Sequence, residues 1–128
     1  MHVQKFEFKS LALTLIGCFA GKLWQGNEVK DGQPSKEYPI VCIHGWLDNA
    51  NSFDPLLSRI MKPDRIVYAL DLPGHGRSPL VNRYFDGFGE FLVCVRCVMQ
   101  EFKWDKVVLM GHSMGSILSF SFSGIFPE

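Results

Sequence analysis

The chain has 128 residues, of which 47% are apolar, and its 13 Lys and Arg residues balance its 13 Asp and Glu residues. This length and composition are typical of one small globular domain or of part of a larger one. The zero net charge gives no basic surface for nucleic acid, and no apolar run approaches the ~18 residues of a membrane span.

The first predicted element is a β-hairpin, with a strand over residues 11–15, a turn near Gly17 and a second strand over residues 18–24. The same stretch could instead form the apolar core of a signal peptide. Glu7 lies where a signal peptide carries only positive charge, and this favours the hairpin. His2, which precedes the hairpin, is expected in a mobile terminus.

Three short apolar runs predict buried parallel strands. They are Ile40–Ile43, residues 66–70 and residues 107–110. All three are rich in β-branched residues and lack polar alternation, as expected for strands that are covered on both faces of a sheet.

Apolar positions at helical spacing follow each of these strands. The first such stripe begins at Phe53, with Asn51 or Ser52 as its cap, and the others run over residues 88–102 and 114–125. The resulting order is hairpin, strand, helix, strand, helix, strand, helix. It predicts an α/β fold, in which a β-hairpin adjoins parallel strands with helices on both faces.

In parallel sheets, ligands bind beyond the carboxyl ends of the strands. The last of these ends reads Gly-His-Ser-Met-Gly at residues 111–115, directly between a strand and a helix, which is the context of a nucleophile elbow. Gly111 and Gly115 would permit a turn sharp enough to lift the hydroxyl clear of the sheet. Ser113 is therefore the predicted nucleophile, and the adjacent His112 is expected to brace the turn rather than to act as general base.

The loop after the first parallel strand contains His44, Gly45 and Trp46, and His44 and Gly45 are expected to have structural roles in it. An elbow serine needs two backbone N–H donors for the oxyanion, one from the residue after the nucleophile and one from this loop. Met114 and Trp46 are the predicted donors. A structural interpretation stays open beside this one, in which Gly45 permits a tight turn and Trp46 packs against a helix.

The loop after the second parallel strand, residues 71–78, holds Asp, His and Ser. These three residues are too close in sequence to converge on one substrate from separate elements. We therefore expect them to brace the loop with hydrogen bonds.

The four cysteines do not predict a disulfide framework. Cys94 and Cys97 form a C-x-x-C match, but they lie in mid-helix, with Cys94 at the edge of the apolar stripe, and no second pair completes a zinc site. Free cysteines fit a cytoplasmic or other intracellular compartment. No dinucleotide or phosphate-loop glycine pattern is complete. We expect no cofactor and no metal.

Three stretches together carry a resemblance to a known family. The strings HGWLDNANSFDPLL, DLPGHGRS and KWDKVVLMGHSMG resemble the serine hydrolase-like proteins of the α/β-hydrolase superfamily. The likeness runs from near Leu11 to the end of the chain. The first string is the more specific one, because GHSMG is shared with many esterases and lipases. The resemblance implies Ser113 as nucleophile and the N–H groups of Trp46 and Met114 as oxyanion donors.

The resemblance also implies that a triad acid and a histidine follow the serine in chain order. Only Glu128 is ionisable after Ser113. Residues 1–128 are therefore expected to be the N-terminal portion of a single, incomplete α/β-hydrolase domain. One predicted function is a serine hydrolase that cleaves an ester-like bond of a small molecule through an acyl-enzyme at Ser113. The alternative is a catalytically inactive truncated product or a non-catalytic binding fragment.

Overall fold

The computed structural model describes residues 1–7, 20–30, 37–78 and 87–127. These contain five strands, three α-helices and one 3-10 turn. In chain order they are β1 His2–Glu7, β2 Ala20–Gln25, β3 Ile40–Ile43, the 3-10 turn Ala50–Phe53, α1 Asp54–Ile60, β4 Ile66–Asp71, α2 Phe88–Glu101, β5 Val108–Gly111 and α3 Met114–Ile125. No helix in this described part is both long enough and apolar enough to cross a membrane.

The strands form one sheet in the order β1-β2-β4-β3-β5. β1 and β2 are antiparallel, as are β2 and β4, whereas β3 is parallel to both β4 and β5. The carboxyl ends of β3, β4 and β5 therefore meet at one edge of the sheet. The prediction of a β-hairpin beside parallel strands in an α/β fold is confirmed.

The side chains of β3 alternate between two core clusters, one on each face of the sheet. Val41 and Ile43 pack in the cluster that holds the buried residues of α2 and α3. Cys42 packs on the other face, with Leu57 of α1 and Phe53 of the 3-10 turn. Helices thus cover both faces, as predicted.

The predicted parallel strands agree with the structure to within one residue. β3 has the predicted bounds, β4 extends one residue further to Asp71, and β5 is shifted by one residue to Val108–Gly111. The prediction that all three strands are buried is wrong for β5, in which Val108 is exposed and Leu109, Met110 and Gly111 are only partly buried. β5 is an outer strand among the described residues, so only β3 pairs with it.

The N-terminal hairpin differs from the prediction in its first strand. β2 overlaps the predicted second strand, and its partner is β1, with His2 opposite Gln25. His2 therefore does not lie in a mobile terminus. The predicted strand over residues 11–15 lies outside the described residues, as does most of the stretch considered for a signal peptide.

The cap of the first helical segment also differs. The Asn49 side chain accepts a hydrogen bond from the Asn51 N–H at 2.9 Å and so caps the 3-10 turn that leads into α1. A cap at Asn51 or Ser52 is wrong because both residues lie inside that turn.

Two expectations about the cysteines of α2 are corrected. Cys94 is fully buried rather than at the edge of the apolar stripe, and it is disulfide-bonded. Cys97 is free, so the two cysteines of the C-x-x-C match are not joined to each other. Cys42 is also free, and burial raises the pKa of its thiol to about 12. A buried thiol of this kind behaves as a small apolar group.

Candidate active site

Ser113 lies on a strained turn between β5 and α3. Its backbone angles are φ 54 and ψ −119, in the left-handed half of φ space that a non-glycine residue rarely adopts. Such a conformation costs about 1–3 kcal/mol and is typical of functional sites. The side chain is exposed, and its hydroxyl makes no hydrogen bond to the described residues. This is the geometry of a nucleophile elbow.

The two glycines of the elbow are required by close backbone contacts. A Cβ atom at Gly115 would overlap the carbonyl oxygen of Ile43, and one at Gly111 would overlap the carbonyl oxygen of Gly115. The His112 N–H meanwhile donates to the Ile43 carbonyl at 3.1 Å. The start of α3 is therefore packed directly against the end of β3.

The loop after β3 lies beside Ser113. A Cβ atom at Gly45 would lie 3.3 Å from the Ser113 Cβ. The backbone N–H groups of Trp46 and Met114 donate to no acceptor among the described residues. Both donors are therefore available to an oxygen atom from outside the chain.

His44 braces this loop with both of its ring nitrogens. It is fully buried. Its Nδ1–H donates to the Gly45 carbonyl at 2.7 Å, and its Nε2 accepts from the Leu72 N–H at 3.1 Å. This pattern assigns the neutral Nδ1–H tautomer, since Nε2 must keep its lone pair. Burial lowers the pKa of His44 below its ordinary value, which also favours the neutral form. With both nitrogens engaged, His44 cannot serve as a general base.

The bonds to Gly45 also orient the next N–H group. The Gly45 carbonyl accepts from the His44 ring and, at 3.2 Å, from the Asp48 N–H. The same peptide unit carries the Trp46 N–H, and the described residues contain no cis peptide bond. In a trans peptide the carbonyl and the N–H point in opposite directions. Two donors that hold the carbonyl thus fix the direction of the Trp46 N–H. The sequence indicated His44 as structural but gave no sign of this pairing.

The loop after β4 is braced as expected. Asp71 is buried, and its carboxylate accepts from the Ala50 N–H at 2.8 Å and from the Arg77 N–H at 3.2 Å. The Ser78 hydroxyl accepts from the Ala20 N–H at 3.2 Å, and the His75 ring pairs with the Pro73 carbonyl at 3.0 Å. The three residues hold loops together and do not form a triad.

The Trp46 indole does not pack under a helix. It contacts the His75 ring edge to face, with the ring centres 5.5 Å apart, and 60% of the residue is exposed. The next residue, Leu47, is 79% exposed and has φ 59. The interpretation in which Trp46 packs against a helix is therefore not supported, because the ring contact found for Trp46 is with the loop residue His75.

The described residues contain no group of three or more His, Cys, Asp or Glu side chains placed to hold a metal ion. His112 is exposed and directly precedes Ser113. Within residues 1–127 the site therefore brings together a serine, two free backbone donors and their supporting loops.

Comparisons with known proteins place this geometry in a family. The family model described as "alpha/beta hydrolase fold" matches residues 38–128. The serine hydrolase-like protein of Mus musculus is 39% identical over 82% of this chain and 34% of the relative. The serine hydrolase-like protein of Homo sapiens is 37% identical over 70% of this chain and 44% of the relative. The chain thus spans less than half the length of these relatives.

Solved structures agree at the level of the fold. A hypothetical protein from Pseudomonas aeruginosa PAO1 has a TM-score of 0.75 at 27% identity, and it matches 100% of this chain and 40% of its own. An alpha/beta hydrolase from Novosphingobium aromaticivorans has a TM-score of 0.78 at 18% identity, over 98% of this chain and 40% of its own. The chain belongs to the α/β-hydrolase fold family and is similar to serine hydrolase-like proteins.

Proposed function

We propose that this chain supplies the nucleophile and the oxyanion donors of a serine hydrolase that cleaves ester-like bonds. The observation that carries the proposal is the strained, exposed Ser113 beside two unpaired N–H groups. Ser113 Oγ would attack the substrate carbonyl carbon, and the Trp46 and Met114 N–H groups would stabilise the oxygen as its negative charge develops. Collapse of the tetrahedral intermediate would expel the alcohol and leave an acyl-enzyme, which water then hydrolyses.

Neither His44 nor His112, the histidines nearest to Ser113 in the described residues, is placed to act as the general base of this reaction. His44 is occupied on both nitrogens, and His112 is held at the position next to the nucleophile. We therefore propose that the activity of the family requires an acid and a histidine from a part of the domain beyond these residues. By itself this chain would be inactive or would act only in binding.

A chimera tests the proposal. The chain is joined after residue 127 to the remaining C-terminal part of the mouse relative, and hydrolysis of p-nitrophenyl esters is measured. We expect turnover in the chimera, with Ser113→Ala reducing kcat by up to about 10⁶, the loss seen when a triad serine is removed. The control is Ser116→Ala, because the Ser116 hydroxyl only donates to the Gly111 carbonyl, at 2.8 Å. Full activity in the Ser113 variant of a folded chimera would contradict the proposal.

The compartment remains a prediction. Free cysteines suggested an intracellular location, but the disulfide at Cys94 removes part of that argument, since such bonds persist mainly in oxidising compartments.

A further inference from the structure

Trp46 and Leu47 expose apolar side chains and directly follow Gly45, where an added Cβ would lie 3.3 Å from the Ser113 Cβ; the two side chains are here called the rim surface. The loop that carries it is held firmly. The Asp48 N–H donates to the Gly45 carbonyl at 3.2 Å, and the Asn49 N–H donates to the Asp48 carboxylate at 2.9 Å. These hydrogen bonds fix the loop backbone, so the two side chains are held in exposed positions.

The two residues of the rim surface are also individually constrained. The His75 ring meets the Trp46 indole at 73°, an edge-to-face arrangement that aromatic pairs prefer. Leu47 adopts a left-handed φ of 59, where a bulky side chain is unfavourable. Strain of this kind persists where the surrounding structure enforces it, and it clusters at ligand sites.

The charges around the rim surface disfavour anionic ligands. Asp48 lies next to Leu47, and a hydrogen bond from the Ser52 hydroxyl lowers the pKa of its carboxyl, so the group is an anion near neutral pH. Residues 44–49 and 111–113 contain no Lys or Arg. The guanidinium of Arg77 is engaged by the Phe6 and Gly21 carbonyls. A carboxylate or phosphate on the substrate would therefore meet a like charge and no Lys or Arg side chain on these loops.

We propose that the rim surface binds an uncharged, apolar substituent of the substrate carbonyl, so that the substrates are esters with an aliphatic or aryl group. The inference rests on the proposed function. A carbonyl oxygen that accepts from the Trp46 N–H places its carbon close to the Trp46 backbone. One of the two substituents on that carbon would then lie towards Trp46 or Leu47. Each methylene that leaves water on this surface adds to the affinity.

Saturation-transfer NMR on the chain itself tests the inference, since this method tolerates self-association of the protein. The probes are butyl, hexyl and octyl trifluoromethyl ketones and a hexyl ketone that ends in a carboxylate. We expect the Kd to fall about two- to fourfold per added methylene that reaches the surface. The carboxylate probe should bind more weakly than the hexyl ketone. Asp48→Asn keeps the acceptor oxygen but removes the charge, so it should lower the Kd of the carboxylate probe about two- to fivefold.

Two matched substitutions test whether Leu47 is responsible for the dependence of Kd on alkyl length. Asparagine tolerates a left-handed φ, so it can replace Leu47 in this conformation. In Leu47→Asn we expect Kd to change less with alkyl length than in the parent chain. Phe120→Asn removes an apolar side chain on α3 that is 84% exposed, and it should leave that dependence unchanged. Equal flattening by both variants would overturn the inference.

The remaining outcomes separate the inference from the proposed function. If the ketones bind with the same Kd at every alkyl length, the inference is wrong while the oxyanion site stands. If no ketone binds at any length, the oxyanion site is not formed and both fail. Equal affinity for the carboxylate probe and the hexyl ketone would contradict the argument from charge.

Discussion

Position 115 has no room for a side chain, because the first turn of α3 lies against the Ile43 carbonyl. We expect Gly115→Ala to lower the free energy of unfolding by about 2 kcal/mol or more, since the backbone of the elbow must shift to relieve the overlap. The matched control is Gly124→Ala in the same helix, where nothing lies within 4 Å of the added Cβ. Alanine there should stabilise the helix by up to about 1 kcal/mol. Urea denaturation measures both changes, and equal effects would contradict the assigned packing.

His44 gives the stability a defined dependence on pH. Burial lowers its pKa in the folded chain, so below the ordinary value of about 6.5 the unfolded chain binds a proton that the folded chain does not. The stability contributed by the neutral ring is complete above that value and is lost as the pH falls. The slope from this one group cannot exceed about 1.4 kcal/mol per pH unit.

The measurement for His44 is the free energy of unfolding at about pH 7.5 and about pH 5. His44→Asn can keep a donor to the Gly45 carbonyl but cannot titrate. We expect the loss of stability on acidification to be smaller in this variant than in the parent chain. An identical loss in both would assign the pH dependence to other groups.

At the scale of elements, β5 is an outer strand of the sheet that the described residues form. Val108 is 44% exposed on this outer strand, and β5 carries no charged residue. β1, the other outer strand, contains Lys5 and Glu7, and charged residues discourage pairing between edges. The asymmetry predicts that self-association proceeds through β5.

Sedimentation velocity of two lysine variants tests this asymmetry. Val108→Lys on β5 should shift the chain towards monomer, whereas Val3→Lys on β1, where Val3 is 40% exposed, should have little effect. A larger effect at Val3 would show that association uses the hairpin side of the sheet.

The strands that the sequence predicted correctly have apolar runs that result from one cause, burial in the sheet. β3 and β4 are covered on both faces, so their apolar runs stand out against the flanking loops. β1 was missed because it is an exposed strand in which Lys5 and Gln4 interrupt the apolar positions. Its position depends on pairing with β2 rather than on burial of its own side chains. The disulfide of Cys94 was missed because pairing depends on distance in space, which spacing in the sequence does not give.

In the site, too, local features could be predicted from the sequence, whereas contacts between separate loops could not. The glycine spacing around Ser113 indicates a sharp turn on steric grounds alone, and the loop at Trp46 follows from the order of the strands. The hydrogen bonds of His44 could not be predicted, because they join two loops that meet only when β3 and β4 pair. The exposure of Trp46 was likewise undetermined, since a large aromatic residue after a strand end is equally compatible with packing.

At the scale of the whole molecule, neither His44 nor His112 is placed as a general base among the described residues, and we predict that the chain alone has no appreciable esterase activity. Ser113 stays a protonated alcohol without a base, and the oxyanion donors alone leave only about 10³–10⁴ over the uncatalysed reaction in a well-studied serine protease. Assay of the isolated chain with p-nitrophenyl esters checks this. Turnover that depends on Ser113 and matches a full-length relative would show that residues 1–128 already contain a base.

The most direct test of Ser113 as nucleophile is mass-spectrometric mapping of a fluorophosphonate adduct in the chimera with the mouse relative. A serine-directed phosphonate forms a stable bond only to an activated hydroxyl, so the adduct identifies the reacting atom. We predict a single adduct on the peptide that contains Ser113, absent in Ser113→Ala and retained in Ser116→Ala. An adduct on another residue, or labelling that persists in Ser113→Ala, would contradict the assignment of the nucleophile.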